Sequence, residues 1–159
     1  MRIAIGSDHG GLDMKEDLKA HLAEQGHLVA DLGTHGAEAV DYPDFAVQVA
    51  VAVATGLVDR GIMVDGAGIG SCMVINKVPG CRAAMCYDIS TANNAREHND
   101  ANVLTLGGGL IGKSLARQIA KTFLDTPFAG GRHARRVDKI KAMDQGALDQ
   151  GAPGKGVAT

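Results

Sequence analysis

Short apolar runs alternate with segments of helical period along most of the chain, and that alternation limits the possible folds more than any other feature. "RIAIG" (2–6), "HLVADLG" (27–33), "GIMVD" (61–65), "CRAAMC" (81–86) and "NVLTLG" (102–107) all have strand length. After the first run, Met14, Leu18 and Leu22 recur at i, i+4 and i+8, giving one apolar helix face that stops near Gly26. "DYPDFAVQVAVAVATG" places Pro43 as the opener of a long buried helix ending at Gly56. "DISTANNAREHN" reads as a helix between the fourth and fifth strands, 113–126 as an amphipathic helix, and 132–145 as the last one. Strands separated by helices pair in parallel through right-handed crossovers. The expected fold is therefore α/β, a three-layer α/β/α sandwich around a five-stranded parallel sheet.

At 159 residues the chain suits one domain, expected over 1–145. After Gln145 the periodicity fades and glycine accumulates, so 146–159 reads as a flexible C-terminal tail. The net charge is −2 and aromatic residues make up only 3%, which argues against a nucleic-acid surface or an anionic-lipid surface. Any charge that holds an anion must therefore be local. The three cysteines, Cys72, Cys81 and Cys86, form no CxxC pair and no zinc-like spacing with histidine. They read as reduced thiols filling a core, with no metal and no cofactor expected. The N-terminus has no signal-peptide pattern and the longest greasy stretch is too short for a bilayer, so a cytoplasmic protein is expected.

In such folds ligands bind beyond the carboxyl ends of the strands, near the point where strand order reverses. The unusual residues fall there. "SDHGG" follows the first strand and brings Asp8 and His9. "DGAGIGS" follows the third, "YDIS" the fourth and "GGGLIG" the fifth. In the second of these, Gly66, Gly68 and Gly70 free the backbone N–H groups to face an anion, just before a helix start. The spacing is neither a dinucleotide fingerprint nor a P-loop, so a nucleotide-binding regulator is a weak reading. Asp65, at the mouth of this loop, is the puzzle, because a carboxylate repels an anion unless it does chemistry of its own. "REHN" puts His98 and Asn99 near a helix end, where an imidazole can work as acid or base. "GGRHARRV" sets Arg132 and Arg136 at i, i+4, spaced to grip a phosphate from one helix face. The remaining histidines, His21, His27 and His35, read as structural.

Taken together, "IGSDHGG", "DYPDFA", "GAGIG…NKVPGCRAA", "YDISTA…REHNDANVL" and "GGRHxxRV" resemble the ribose-5-phosphate isomerase B family, which includes the galactose-6-phosphate isomerase subunits. The resemblance runs nearly collinearly from residue 1 to about 145. It implies a Rossmann-like sandwich, a homodimer or tetramer with sites shared between subunits, and metal-free aldose–ketose interconversion through a cis-enediol. Carried over by residue, it implies that His98 opens the sugar ring with Asn99 beside it. Asp8 meets sugar hydroxyls, and His9, Arg132 and Arg136 hold the phosphate. The amides of Gly66, Gly68 and Gly70 stabilise the enediolate, and Tyr42 lines the site.

The departures from the family pattern fall on the proton-transfer groups. Many members carry a Cys base where this chain has Asp65. Others use Glu where it has Ser71, so Asp65 and Ser71 stand as the catalytic candidates beside His98. A Thr or Ser of the loop is Ala67 here, and an Arg after the fifth strand is Gly109. Two readings follow. In the first, Asp65 is the base of an active isomerase, with D-ribose 5-phosphate to D-ribulose 5-phosphate as the default reaction and a tetrose or hexose phosphate as the alternative. In the second, the chain is a catalytically degenerate, ligand-binding partner subunit.

Overall fold

The structure is a computed structural model and describes residues 1–145; the tail expected over 146–159 lies outside them. Five parallel strands, β1 (Arg2–Ser7), β2 (Leu28–Asp31), β3 (Arg60–Asp65), β4 (Ala83–Met85) and β5 (Val103–Gly107), form one sheet in the order β2-β1-β3-β5-β4. Six α-helices accompany them: α1 (Leu12–Glu24), α2 (Tyr42–Ala54), α3 (Ile69–Ile75), α4 (Ile89–Glu97), α5 (Lys113–Asp125) and α6 (Arg132–Met143). This is the expected α/β architecture. β2 and β4 come out shorter than the apolar runs that announced them, because both are edge strands paired on one side only. The helix start expected after the glycine loop is α3, and a 3-10 turn at His9–Gly11, capped by the Asp8 side chain, precedes α1.

The period of two along β3 explains the layers. Ile62 and Val64 face one side, with Ile3, Ile5, Leu104 and Leu106, and pack under α1, α4 and α5. Met63 faces the other side, with Ala4 and Val103, under α2 and α3. The same logic sets the helices. On α5, Ala116, Ile119, Ala120, Phe123 and Leu124 are buried at helical spacing, each large side chain contributing about 1.5–3 kcal/mol. α4 opens on a capping box in which Asp88 accepts from the Thr91 amide. Cys81 and Cys86 are buried and Cys72 is half-buried, all three as free thiols; burial pushes the Cys81 and Cys86 thiols up to about 11. No helix among the described residues is long and apolar enough to cross a membrane.

Lys15 is fully buried, and its Nζ donates to Asp31 Oδ1 at 2.7 Å and Oδ2 at 2.8 Å, while Lys19 adds a third bond at 2.7 Å. Burial pushes the Asp31 carboxyl up, but the hydrogen bonds from Lys15, Lys19 and the Gly33 amide outweigh it and hold the group below its usual value. A carboxyl depressed in the folded state stabilises the protein above its unfolded pKa of about 3.9 and loses that contribution as pH falls through the lower folded value. Lys15→Met is expected to cost about 2 kcal/mol at pH 7, less than the roughly 3–5 kcal/mol of a fully uncompensated buried charge, because Lys19 stays on Asp31. Urea unfolding at pH 7 and again at about pH 3 checks this, with the gap between variant and wild type narrowing at the acid end.

Candidate active site

The chain leaves β1 for β2 on one side and later places β3 on the other, so the strand order reverses at β1/β3. At the carboxyl ends of these central strands the structure gathers Asp8, His9, Tyr42, Asp65, Gly66, Ala67, Gly68, Gly70 and Ser71. Asp8 N donates to Val64 O at 3.3 Å, while Gly108 N and Gly109 N donate to Asp65 O and Gly66 O at 2.7 and 3.0 Å. These bonds tie the ends of β1, β3 and β5 into one floor. His9 accepts the Val40 N–H on Nδ1 at 3.2 Å, which leaves the neutral ring's proton on Nε2, facing outward as a donor. The Tyr42 ring packs on the loop, its Cζ only 2.5 Å from where a Cβ on Gly70 would stand.

Asp65 is the best-connected side chain of the group. It is 4% exposed. Its Oδ1 accepts the N–H groups of Ala67, at 2.9 Å, and of Gly68; its Oδ2 accepts the Ser71 N–H at 3.1 Å and the Ser71 hydroxyl. Ser71 is fully buried and spends its hydroxyl proton on this bond. Gly68 needs to be glycine, since its φ is 76° and a Cβ would lie 2.9 Å from the Leu106 carbonyl carbon. Of the three loop glycines, then, Gly68 has given its amide to Asp65. Among the described residues no acceptor takes the N–H of Gly66 or Gly70.

The second group lies elsewhere. α4 runs back against the strands, so His98 and Asn99 sit just before β5 begins, at the amino end of the sheet. The last helix joins them there: Ala129 N donates to Glu97 O at 2.9 Å, Gly80 N donates to Asp144 Oδ2 at 2.8 Å, and the His133 ring stacks on His98 with centroids 4.2 Å apart. Arg132 and Arg136 are exposed on that helix, and among the described residues neither forms a salt bridge to a carboxylate. Five strand residues at about 3.3 Å each keep the two groups roughly 15 Å apart within one chain. The sequence does not reveal this separation, because it follows from the direction of α4.

Two residues passed over in the sequence shape the second group. Asn99 Nδ2 donates to Asn94 Oδ1 at 3.1 Å, which orients the Asn94 amide so that its Nδ2 faces His98 Nδ1 at 2.8 Å. His98 therefore accepts on Nδ1 and, when neutral, carries its proton on Nε2. His133 is the other: burial, then the charges of His98, Arg132 and Arg136, hold its imidazole below the ordinary value, so it stays neutral beside them at pH 7. The i, i+4 spacing of Asn94 and His98 was visible, but it reads as an ordinary helix surface. Among the described residues the side chains able to hold a cation together are Glu16, Asp31 and His35, and there the ammonium groups of Lys15 and Lys19 already lie 2.6–2.9 Å from the carboxylates.

Comparison with known proteins gives the chain its family. The chain is 50% identical to a ribose-5-phosphate isomerase B structure from Clostridium thermocellum, with a TM-score of 0.90 over 92% of this chain and 99% of that one. It is 44% identical to ribose-5-phosphate isomerase B of Escherichia coli strain K12, covering 91% of this chain and 97% of the relative. It is also 42% identical to the D-erythrulose-4-phosphate isomerase of Pectobacterium atrosepticum, over 88% and 93%. The class is thus sugar-phosphate isomerase, an intramolecular oxidoreductase on a Rossmann-like fold. Residues 3–140 match the ribose/galactose isomerase family model, and the chain belongs to that family.

Proposed function

We propose that this protein interconverts a phosphorylated aldose and ketose through a cis-enediol, in a site completed by two copies of the chain. The observation that carries the reading is the pairing of free loop amides with a carboxylate at the strand ends. Gly66 and Gly70 offer unclaimed N–H donors where an enediolate oxygen would sit, and such preorganised donors favour charge that develops in the transition state. Beside them stand Asp8 and Asp65, either able in principle to carry a proton between adjacent carbons. The Ala67 amide, like that of Gly68, is engaged by Asp65, so it serves the loop rather than the substrate.

The phosphate and ring-opening groups come from a partner copy. His98, with its proton on Nε2, protonates the ring oxygen of the cyclic sugar, and Asn99 fixes that tautomer through Asn94. Arg132 and Arg136 grip the phosphate, with His9 Nε2–H of the first chain assisting. The separation of these residues from the glycine loop within one chain supports this division: neither cluster alone holds both a phosphate grip and an enediolate cradle.

D-ribose 5-phosphate and D-ribulose 5-phosphate form the default substrate pair. A tetrose phosphate is the second reading, favoured by Ala67 and by Gly109, positions without a polar side chain in this chain, and by the relative that acts on D-erythrulose 4-phosphate. Incubating the protein with C4, C5 and C6 aldose and ketose phosphates in deuterated water tests the reaction and ranks the substrates together. Deuterium entering C1 or C2 of one pair is the expected result. Absence of exchange with every sugar sinks the isomerase reading and leaves the degenerate partner subunit.

A further inference from the structure

We propose that Asp8 is the carboxylate that moves the proton, and that Asp65, which occupies the family's usual base position, is a positioning residue. The assignment rests on the enediol reading above and narrows it to one group. A carboxylate has about four lone-pair directions. In Asp65 all four are taken by the loop that follows it: two N–H groups on Oδ1, and the Ser71 N–H and hydroxyl on Oδ2. To accept a proton from carbon, Asp65 would have to release one of these donors and leave it unpaired in a site where the residue is 4% exposed. Its geometry is that of a clamp. It holds the amides of Ala67, Gly68 and Ser71, and among the described residues leaves those of Gly66 and Gly70 unclaimed.

Asp8 differs where it matters. Its Oδ1 accepts one hydrogen bond, from Gly11 N at 3.0 Å. Its Oδ2 takes none among the described residues and is not among the buried unpartnered atoms, so it keeps some contact with solvent in a residue that is 7% exposed. A Cβ built on Gly10 would lie 3.4 Å from Asp8 Oδ1 and 3.5 Å from Gly66 N, which puts the Asp8 carboxyl group, through its Gly11-bonded oxygen, and the free amide around one small space. A glycine at that point keeps the space open.

The step balances without any co-reactant. Asp8 takes the proton from C2 of the open-chain aldose; the C2–H electron pair becomes the C1–C2 double bond, and the C1 carbonyl π pair moves onto O1. The O1 charge faces the loop amides. The O2 proton then passes to O1, the C2–O2 bond becomes the carbonyl, and the Asp8 carboxyl returns its proton to C1, giving the ketose and the starting carboxylate.

The test measures kcat, KM and solvent deuterium exchange for the wild type, Asp8→Asn, Asp65→Asn, Asp65→Ala and Ser71→Ala on the sugar phosphate that the wild type turns over. Wild-type exchange comes first, because its absence would refute the isomerase reading itself and not the choice between the carboxylates. With exchange in hand, Asp8→Asn is expected to lose on the order of 10³-fold in kcat and in exchange, with KM little changed. Asp65→Asn keeps one acceptor oxygen for the Ala67 and Gly68 amides, so it is expected to fall only about tenfold in kcat, and Asp65→Ala about tenfold further, as each step removes loop anchors. Ser71→Ala, which frees a lone pair on Asp65, is expected to lower kcat severalfold. Three results overturn the assignment: exchange abolished in a folded Asp65→Asn, exchange within tenfold of wild type in Asp8→Asn, or a gain of activity in Ser71→Ala. Should Asp65→Asn fail to fold, the Asp8→Asn and Ser71→Ala results decide alone.

Discussion

Mixing two inactive variants, Asp8→Asn and His98→Asn, is expected to restore about a quarter of wild-type turnover. The reasoning starts from strand direction. Asp8 ends β1 and the glycine loop ends β3, whereas His98 precedes β5, and all the strands run the same way. A chain carrying Asp8→Asn still presents His98, Arg132 and Arg136; one carrying His98→Asn still presents Asp8 and the free amides of Gly66 and Gly70. If each site joins the carboxyl end of one sheet to the amino end of another, a mixed dimer holds one intact site and one doubly damaged site. Random exchange makes about half the dimers mixed, and half of their sites work, which gives the quarter. Each variant alone is expected to lose on the order of 10²–10⁴-fold, so the recovered rate stands well clear of the background. Co-expression of the two variants and a turnover assay on the whole unfractionated dimer pool make the measurement. If the activity stays at the sum of the two single variants, the sites lie within single chains and the division of labour drawn here is wrong.

That prediction turns on something the sequence displays poorly. The five strands, their parallel pairing and the helices between them were legible, because period-two and period-3.6 patterns bury apolar faces in ways a reader can count. "GIMVD" shows this well: it is apolar on both faces and became a central strand. The motif residues at strand ends were legible too, and Asp8, His9, Tyr42 and the glycine loop do meet. What stayed hidden was three-dimensional bookkeeping of another sort. "REHN" looks like part of the same site, yet α4 carries it to the far end of the sheet. The state of Asp65 was equally invisible, since nothing in "VDGAGIGSC" tells whether the carboxylate faces the substrate or folds back on Ala67, Gly68 and Ser71. Asn94 escaped notice because its role depends on which way an amide is turned, and that is fixed only by contact with Asn99.

Two glycines of the site, Gly11 and Gly66, are expected to respond to alanine in opposite ways, and the contrast separates folding from chemistry. A Cβ on Gly11 would stand 2.2 Å from Val64 O and 2.6 Å from the Val64 carbonyl carbon, both backbone atoms of β3 that cannot turn aside. Relief requires pushing the start of α1 off the central strand, where Met14 and Leu18 are buried against the core. Gly11→Ala is therefore expected to cost about 3 kcal/mol or more, a large share of a small domain's stability, and to show as a drop in the urea midpoint. Its activity loss would follow the unfolded fraction. A Cβ on Gly66 meets nothing within 4 Å and its backbone is not left-handed, so Gly66→Ala is expected to unfold within about 0.5 kcal/mol of wild type. The open space it enters adjoins the free Gly66 amide, where a misplacement of the reacting carbons by about 1 Å costs on the order of 10²-fold in rate. Unfolding curves and turnover on the same two samples settle the matter. A stable Gly66→Ala with wild-type turnover would remove the Gly66 amide from the enediolate site, whereas a stable Gly11→Ala would mean that β3 and α1 are held apart more loosely than the packing at Val64 allows.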